Sequence, residues 1–308
     1  MTSPSGSATS ALSPSLPLVE SYPALSGESV DRRSKLSASE FLHEYVMTGR
    51  PVIISDATAR WPAMEKFTWS FFRERYGHLN RQVGGRTYSL REVIDLIPAS
   101  TKEAPAPYPY NLDIEKYFPE LMADVRPDVA YGRTDRVNHP LLPRKLLTST
   151  VPYEVFFGGR GAAFPRVHYD ALWLHTQITQ IRGSKEFFLY PFEQGRFMYP
   201  QLDGEKTSQV DFTAPDFERF PLFAQARATV ATVYEGESIF FPAGWWHATR
   251  IHEPCISVGR IHLNGGNWQM FSKDVYSYWH RYHAWIAPMV RVYLRSLGAL
   301  MDLQERRL

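Results

Sequence analysis

Between Val151 and Leu263 the chain breaks into short β-prone runs, and no other feature restricts its fold as strongly. The runs are Val151 to Phe157, Gln177 to Ile181, Lys185 to Tyr190, Ala228 to Tyr234, Ser238 to Phe241, His247 to Ile251 and Cys255 to Leu263. β-Branched and aromatic residues dominate them, and turns such as Arg182-Gly183-Ser184 and Glu235-Gly236-Glu237 separate some of them closely. Many short strands with close turns predict an antiparallel roll of two sheets.

Helical patterns flank this region. Ser37-Ala38-Ser39-Glu40 offers a capping box ahead of Phe41, Leu42 and Tyr45, and Ser89 to Ile97 repeats the arrangement. A helix is predicted over Thr68 to Tyr76, stopped near Gly77, and a short buried strand over Arg50 to Ile54. Residues 101–150 resist assignment. After Asn267, the spacing of Val275, Tyr278, Trp279, Tyr282 and Ile286 is helical, with Pro288 ending or kinking that helix and a second one following from Met289 to about Leu303. The expected organisation is a Ser/Pro/Ala-rich disordered lead-in over 1–18, a helical and mixed part over 19–150, the roll over 151–266 and C-terminal helices over 267–308. The fold class is α+β and mainly β.

Composition narrows the setting. At 308 residues and 44% hydrophobic, the chain can bury one large core, and a formal charge of +2 is too mild to imply nucleic acid. The single cysteine, Cys255, excludes an intramolecular disulfide and a cysteine-rich zinc site and fits a reducing compartment. With no apolar stretch of membrane-spanning length and no apolar signal core near Met1, a cytoplasmic location and no membrane partner are expected.

Within the roll lie His168-Tyr169-Asp170 and, further on, His247. On a strand, residues i and i+2 face one side, so His168 and Asp170 are expected to point together while Tyr169 points away. Two imidazoles and a carboxylate are the ligand set that leaves open positions on Fe(II) for O2 and a co-substrate. The triplet alone is weak evidence, because 10 His and 32 acidic residues in 308 positions give about one such pattern by chance. A lone histidine on a barrel strand is commonly structural. A buried acid beside it is costly unless paired or metal-bound. Lys185, opening the strand after Arg182-Gly183-Ser184, reads either as a solvated turn lysine or as an inward cation awaiting an anion. The run from Gly236 to His247 delivers a histidine beside Trp245 and Trp246, which also reads as an aromatic core corner.

Taken in order, these segments resemble the Jumonji-C group of Fe(II)- and 2-oxoglutarate-dependent oxygenases. Within it they are closest to the cupin-like hydroxylases that include the asparaginyl hydroxylase acting on hypoxia-inducible factor. The resemblance runs over about residues 35–265 and includes Gly49 to Ile54, Trp61-Pro62-Ala63 and the block Ser208 to Pro221. It implies a double-stranded β-helix (jelly-roll cupin). It further implies Fe(II) held by His168, Asp170 and His247, with 2-oxoglutarate and O2 as co-substrates. By the same resemblance Lys185 salt-bridges the distal carboxylate of 2-oxoglutarate, Tyr110 matches a tyrosine that helps hold it, and Thr176 stands where the family often has asparagine. Three departures stand out: Pro165 replaces a Thr or Ser, the interval from Asp170 to Lys185 is longer, and Arg260 occupies a last strand that usually carries asparagine. Arg260 is therefore either a second anion partner or a surface arginine, and the longer interval implies a bulge or altered strand.

The implied reaction couples decarboxylation of 2-oxoglutarate to hydroxylation of a substrate C–H bond. A protein or peptide side chain is the first expectation, and an RNA base or small molecule the alternative. Rivals from other classes are a non-catalytic cupin-fold binding protein and a cupin using another metal without 2-oxoglutarate. Phe164, Trp173, Trp245 and Trp246 are candidates for a dry wall around the site, and the C-terminal helices either cover the open end of the barrel or form a homodimer.

Overall fold

A computed structural model describes residues 29–125, 136–147, 150–201 and 206–305. The lead-in expected over 1–18 lies outside the described residues. Two antiparallel sheets face one another. The larger has the order β1-β2-β12-β8-β14-β6-β5, from strands Asp31–Arg33 (β1), Val52–Ile54 (β2), Tyr110–Asp113 (β5), Tyr153–Gly158 (β6), His175–Arg182 (β8), Ser238–Phe241 (β12) and Cys255–His262 (β14). The smaller has the order β10-β7-β13-β9-β11, from Arg166–His168 (β7), Lys185–Tyr190 (β9), Thr207–Asp211 (β10), Thr229–Val233 (β11) and Trp246–Ile251 (β13). Asn80–Val83 (β3) and Arg86–Ser89 (β4) form a separate hairpin. This is the jelly-roll double-stranded β-helix, with one parallel contact, β1 on β2.

Each strand expected between Val151 and Leu263 forms to within about two residues. Six strands that pattern reading did not mark are also present: β1, β5, β7, β10 and the two of the β3–β4 hairpin. β1, β2 and β5 join the larger sheet, so the N-terminal part supplies edge strands to the roll as well as helices. The unmarked strands are three to five residues long, too short to show a clear period, and tertiary pairing makes them strands.

Local signals explain the elements well. Helix Trp69–Arg75 (α1) is capped by Thr68, whose hydroxyl accepts from the Phe71 amide, and helix Leu90–Leu96 (α2) starts with a capping box between Ser89 and Glu92. The same box at Ser37 and Glu40 leads into a wide helical turn over Phe41–Val46. At the β8–β9 turn, Gly183 adopts φ +65°, and a Cβ there would lie 2.1 Å from the Pro254 carbonyl oxygen, so the turn needs glycine twice over. Pro288 starts the second C-terminal helix instead of kinking the first. Helix Trp268–Tyr282 (α3) ends before it, and helix Ala287–Glu305 (α4) carries it in its first turn, where the missing N–H costs nothing.

Three apolar clusters surround the roll. Alternation along β5, β6 and β14 sends Tyr110, Tyr153, Val155, Phe157 and Val258 outward against α1, α2 and the segment through Phe118. Behind the smaller sheet, Phe188, Tyr190, Phe212 and Trp246 pack together. On the far side α3 and α4 bury Phe271, Val275, Leu294 and Leu297 against Leu172, Leu174 and Leu263. Among the described residues no helix is long and apolar enough to cross a membrane.

Phe157 is fully buried and meets Phe72 edge-to-face with ring centroids 4.9 Å apart. Truncating it leaves a cavity between sheet and helices, so Phe157→Ala is expected to lower stability by about 3–5 kcal/mol. A urea unfolding midpoint shifted by less than the equivalent of about 1 kcal/mol would contradict this packing.

Candidate metal centre and its cavity

The smaller sheet brings the two histidines together. His168 ends β7, and antiparallel pairing places it directly opposite His247 on β13. Their ring centroids are 4.2 Å apart, and Phe164 and Phe241 flank the pair at 4.4 Å and 4.6 Å. Asp170 is not on the strand, as the i, i+2 reading assumed. β7 stops at His168, and Asp170 is the extended residue that caps the turn Ala171–Trp173. Leu172 and Trp173 adopt φ of 60° and 52°, so the chain reverses immediately after the carboxylate. This turn and strand β8 fill the interval from Asp170 to Lys185. Asn267 holds it by donating to the Trp173 carbonyl at 2.8 Å, while Leu172 and Leu174 are buried among α3 and α4.

The ligand atoms of His168, Asp170 and His247 lie within 4.8 Å of one another. His168 Nδ1 is 3.2 Å from the Arg166 carbonyl oxygen and His247 Nδ1 is 3.1 Å from that of Trp245. Each imidazole therefore carries its proton on Nδ1 as a donor, leaving Nε2 with its lone pair free. Burial, with the His247 ring beside it, pushes His168 down to about 4 despite the opposing pull of Asp170. It is neutral near pH 7, the state that binds a metal. Thr176 Oγ1 donates to Asp170 Oδ2, leaving the other oxygen available. Two imidazoles with Nε2 free and one oriented carboxylate on a single side of a cavity fit a divalent iron.

A cavity of about 300 Å³ opens over these residues, between the sheets. Thr176, Lys185 and Arg260 border it with the triad. Lys185 is 2% exposed, and its Nζ donates to Ser257 Oγ at 2.9 Å. The solvated-turn reading of this lysine is excluded. It forms no salt bridge among the described residues, so a buried ammonium faces the cavity with donors to spare.

Two placements differ from expectation. Tyr110 is fully buried on the outer face of β5, and its hydroxyl donates to the Leu79 carbonyl at 2.9 Å. Tyr108, just ahead of β5, lines the cavity instead, with its ring centroid 5.6 Å from Lys185 Nζ. Arg260 borders the cavity, yet alternation sets it on the face of β14 away from Ser257 and Gly259, and its guanidinium lies 5.6 Å from the Tyr153 ring centroid. Of the aromatic candidates, Phe164 lines the cavity. Trp246 packs behind the smaller sheet, Trp173 stacks on Phe192, and Trp245 Nε1 donates to the Gly49 carbonyl. Sequence reading also missed Arg81, Asn111, Glu154 and Thr249 in the cavity wall. They sit on four different strands, and only sheet alternation, known after the pairing, identifies them as inward.

Fold and site together define a metal-binding cupin. The chain belongs to the cupin-like domain family, whose model matches residues 79–262. It is 27% identical to the human "Bifunctional peptidase and (3S)-lysyl hydroxylase JMJD7" over 260 residues, 71% of this chain and 78% of the relative. It is also 27% identical over 252 residues to "Lysine-specific demethylase JMJ30" of Arabidopsis thaliana, covering 76% of this chain and 55% of that one. "Lysine-specific demethylase 8" of Danio rerio is 25% identical over 239 residues, 72% of this chain and 55% of its own length. The chain thus spans about half of the two demethylases.

The Thr176 hydroxyl orients Asp170, so Thr176→Val is expected to weaken Fe(II) binding by about 10- to 100-fold, with Thr176→Ser restoring most of it. An anaerobic metal titration checks this, and equal affinity for the valine variant and the parent would remove the orienting role.

Proposed function

We propose that this protein is an Fe(II)- and 2-oxoglutarate-dependent dioxygenase that hydroxylates side chains of protein or peptide substrates. One observation carries the reading: His168, Asp170 and His247 share a cavity with Lys185, a buried ammonium that lacks a carboxylate partner. A dicarboxylate co-substrate supplies that partner. Bound Fe(II), with O2, supplies the oxidising chemistry that converts 2-oxoglutarate to succinate and CO2 and hydroxylates a substrate C–H bond. The chain's own residues bind and orient. The triad offers three ligands from one side, Thr176 steers Asp170, and Lys185 with Tyr108 and Ser257 receives the distal carboxylate at the closed end. Phe164 and Phe241 keep water from the imidazoles.

Protein substrates are favoured over RNA bases or small molecules because the relatives' names describe lysyl hydroxylation and lysine demethylation. The finer likeness to the asparaginyl hydroxylase group is carried by Ser208 to Pro221, where β10 pairs with the strand that bears His168. A non-catalytic cupin-fold binding protein has no need of an intact triad with both Nδ1 atoms anchored. A cupin without 2-oxoglutarate leaves Lys185 unexplained. The single cysteine supports a cytoplasmic location.

Anaerobic addition of Fe(II) and 2-oxoglutarate is expected to produce a visible metal-to-ligand charge-transfer band that His168→Ala and Asp170→Ala abolish. A folded protein that binds both without any band would sink the oxygenase reading. Lys185→Met is expected to raise the 2-oxoglutarate concentration for half-maximal band intensity by roughly thirtyfold, equivalent to about 2 kcal/mol.

The C-terminal helices support a homodimer through their outer face, where Tyr282, Trp285, Met289 and Val292 are 60%, 80%, 66% and 66% exposed. Light scattering is expected to give twice the chain mass, and the double variant Trp285→Glu, Met289→Glu a single one. A monomeric parent at micromolar concentration would rule the dimer out.

A further inference from the structure

Beyond the triad and Lys185, the cavity wall holds an acidic pair that the proposed chemistry does not use. Glu154 on β6 and Asn111 on β5 both face the cavity, and Asn111 Nδ2 donates to Glu154 Oε1 at 2.6 Å. That bond sets the amide's orientation, because turning it over would place Oδ1 against the carboxylate. What remains toward the cavity is acceptor only. Asn111 is 8% exposed and its Oδ1 is buried without a hydrogen-bond partner. Glu154 forms no salt bridge among the described residues, although Arg81 lines the same wall.

The Glu154 carboxyl is offset from the co-substrate end. Register aligns Asp113, Glu154 and Gly259 across β5, β6 and β14, and it aligns Phe156 with Ser257, the partner of Lys185. Glu154 and Phe156 are two residues apart on one face, so Glu154 lies about 7 Å along the strand from the level of Lys185, while Asn111, opposite Phe156, stands at that level and reaches diagonally to Glu154. At the level of Glu154, Gly259 leaves the wall without a side chain, and a Cβ there would come within 2.9 Å of Phe156. Burial pushes the Glu154 carboxyl up to about 7, against the pull of Asn111 and Arg81. The partly buried Glu154 carboxyl and the orphaned amide oxygen beside it have no hydrogen-bonded cation among the described residues, and a donor-rich, positively charged group suits both acceptors.

We propose that Glu154 and Asn111 form the specificity site that receives the ammonium or guanidinium end of a basic substrate side chain. This rests on the oxygenase reading in that the recognised side chain is the one held near the triad. The basic group donates to Glu154 and to Asn111 Oδ1, which leaves carbon atoms of the same side chain facing His168, Asp170 and His247.

Binding of four small probes to the full chain, with Fe(II) and 2-oxoglutarate under anaerobic conditions, tests the site without turnover. The probes are the N-acetyl, C-methylamide derivatives of lysine, arginine, norleucine and glutamate, followed by ligand-observed NMR. The two basic probes are expected to bind about tenfold or more tighter than norleucine. Glu154→Gln is expected to bring them within about twofold of it, while Glu154→Asp retains part of the preference. Asn111→Ala, as a second variant, is expected to lower binding of the basic probes and leave norleucine unchanged. A basic preference that persists in Glu154→Gln, absence of any discrimination, or tightest binding of the glutamate probe through Arg81 overturns the assignment. The charge-transfer band recorded on the same samples separates the two ideas. A band with no basic preference defeats this inference alone, and loss of the band in the parent defeats the oxygenase reading.

Discussion

The pairing of β7 with β13 is the constraint on which the rest of the site depends. It sets His168 opposite His247 at a distance where two imidazoles can share one metal and where burial beside the second ring disfavours the charged form of His168. A slip of one residue in either strand would turn one ring toward the opposite face of the smaller sheet, among Phe188, Tyr190 and Trp246. Register here is fixed on both sides. β13 also pairs with β9 along its whole length, from Trp246 opposite Tyr190 to Ile251 opposite Lys185. The same ladder that aligns the histidines therefore also places the buried ammonium.

Asp170 is held by different means. It sits beyond the end of β7, and its position comes from a turn whose two positive-φ residues are tied down from the C-terminal side. Asn267 bonds the Trp173 carbonyl, and Leu172 and Leu174 are packed into the cluster built by α3 and α4. Positive φ in non-glycine residues costs roughly 1–2 kcal/mol each and persists only where the surroundings enforce it. The helices after the roll thus act on the metal centre through packing, without touching it. Their inner face has this buttressing role and their outer face is left apolar and exposed, so covering the roll and self-association do not compete for the same residues.

Charge is distributed along the cavity in a definite order. The ammonium of Lys185 stands at the level of Ser257 and Phe156, and the Glu154 carboxylate, bonded to Asn111, stands about 7 Å further along its strand, with the two histidines on the facing sheet. An anionic co-substrate and a basic side chain entering the same cavity would be sorted by these two poles. Lys185 and Asn111 are buried and Glu154 partly so, and the lowered polarity around them strengthens the preference.

Much of this was legible in the residues themselves. Strand-forming runs, the Gly183 turn, capping boxes at Ser37 and Ser89 and the His168, Asp170 and His247 set are local signals, because propensity, capping and turn chemistry act over a few residues. Burial of Lys185 was undecided in sequence, since a turn lysine and an inward lysine look alike until the strand has a partner. The outward turn of Tyr110 and Arg260 and the inward turn of Asn111 and Glu154 depend on a parity that no single strand declares, while Tyr108 reaches the cavity from ahead of the strand. Alternation has a period of two, but only pairing with a neighbour says which half faces in. Sequence by itself thus determined the elements and the metal-ligating residue types. Tertiary structure decided which side chains share the cavity, because facing is a property of the assembled sheets and not of the strand.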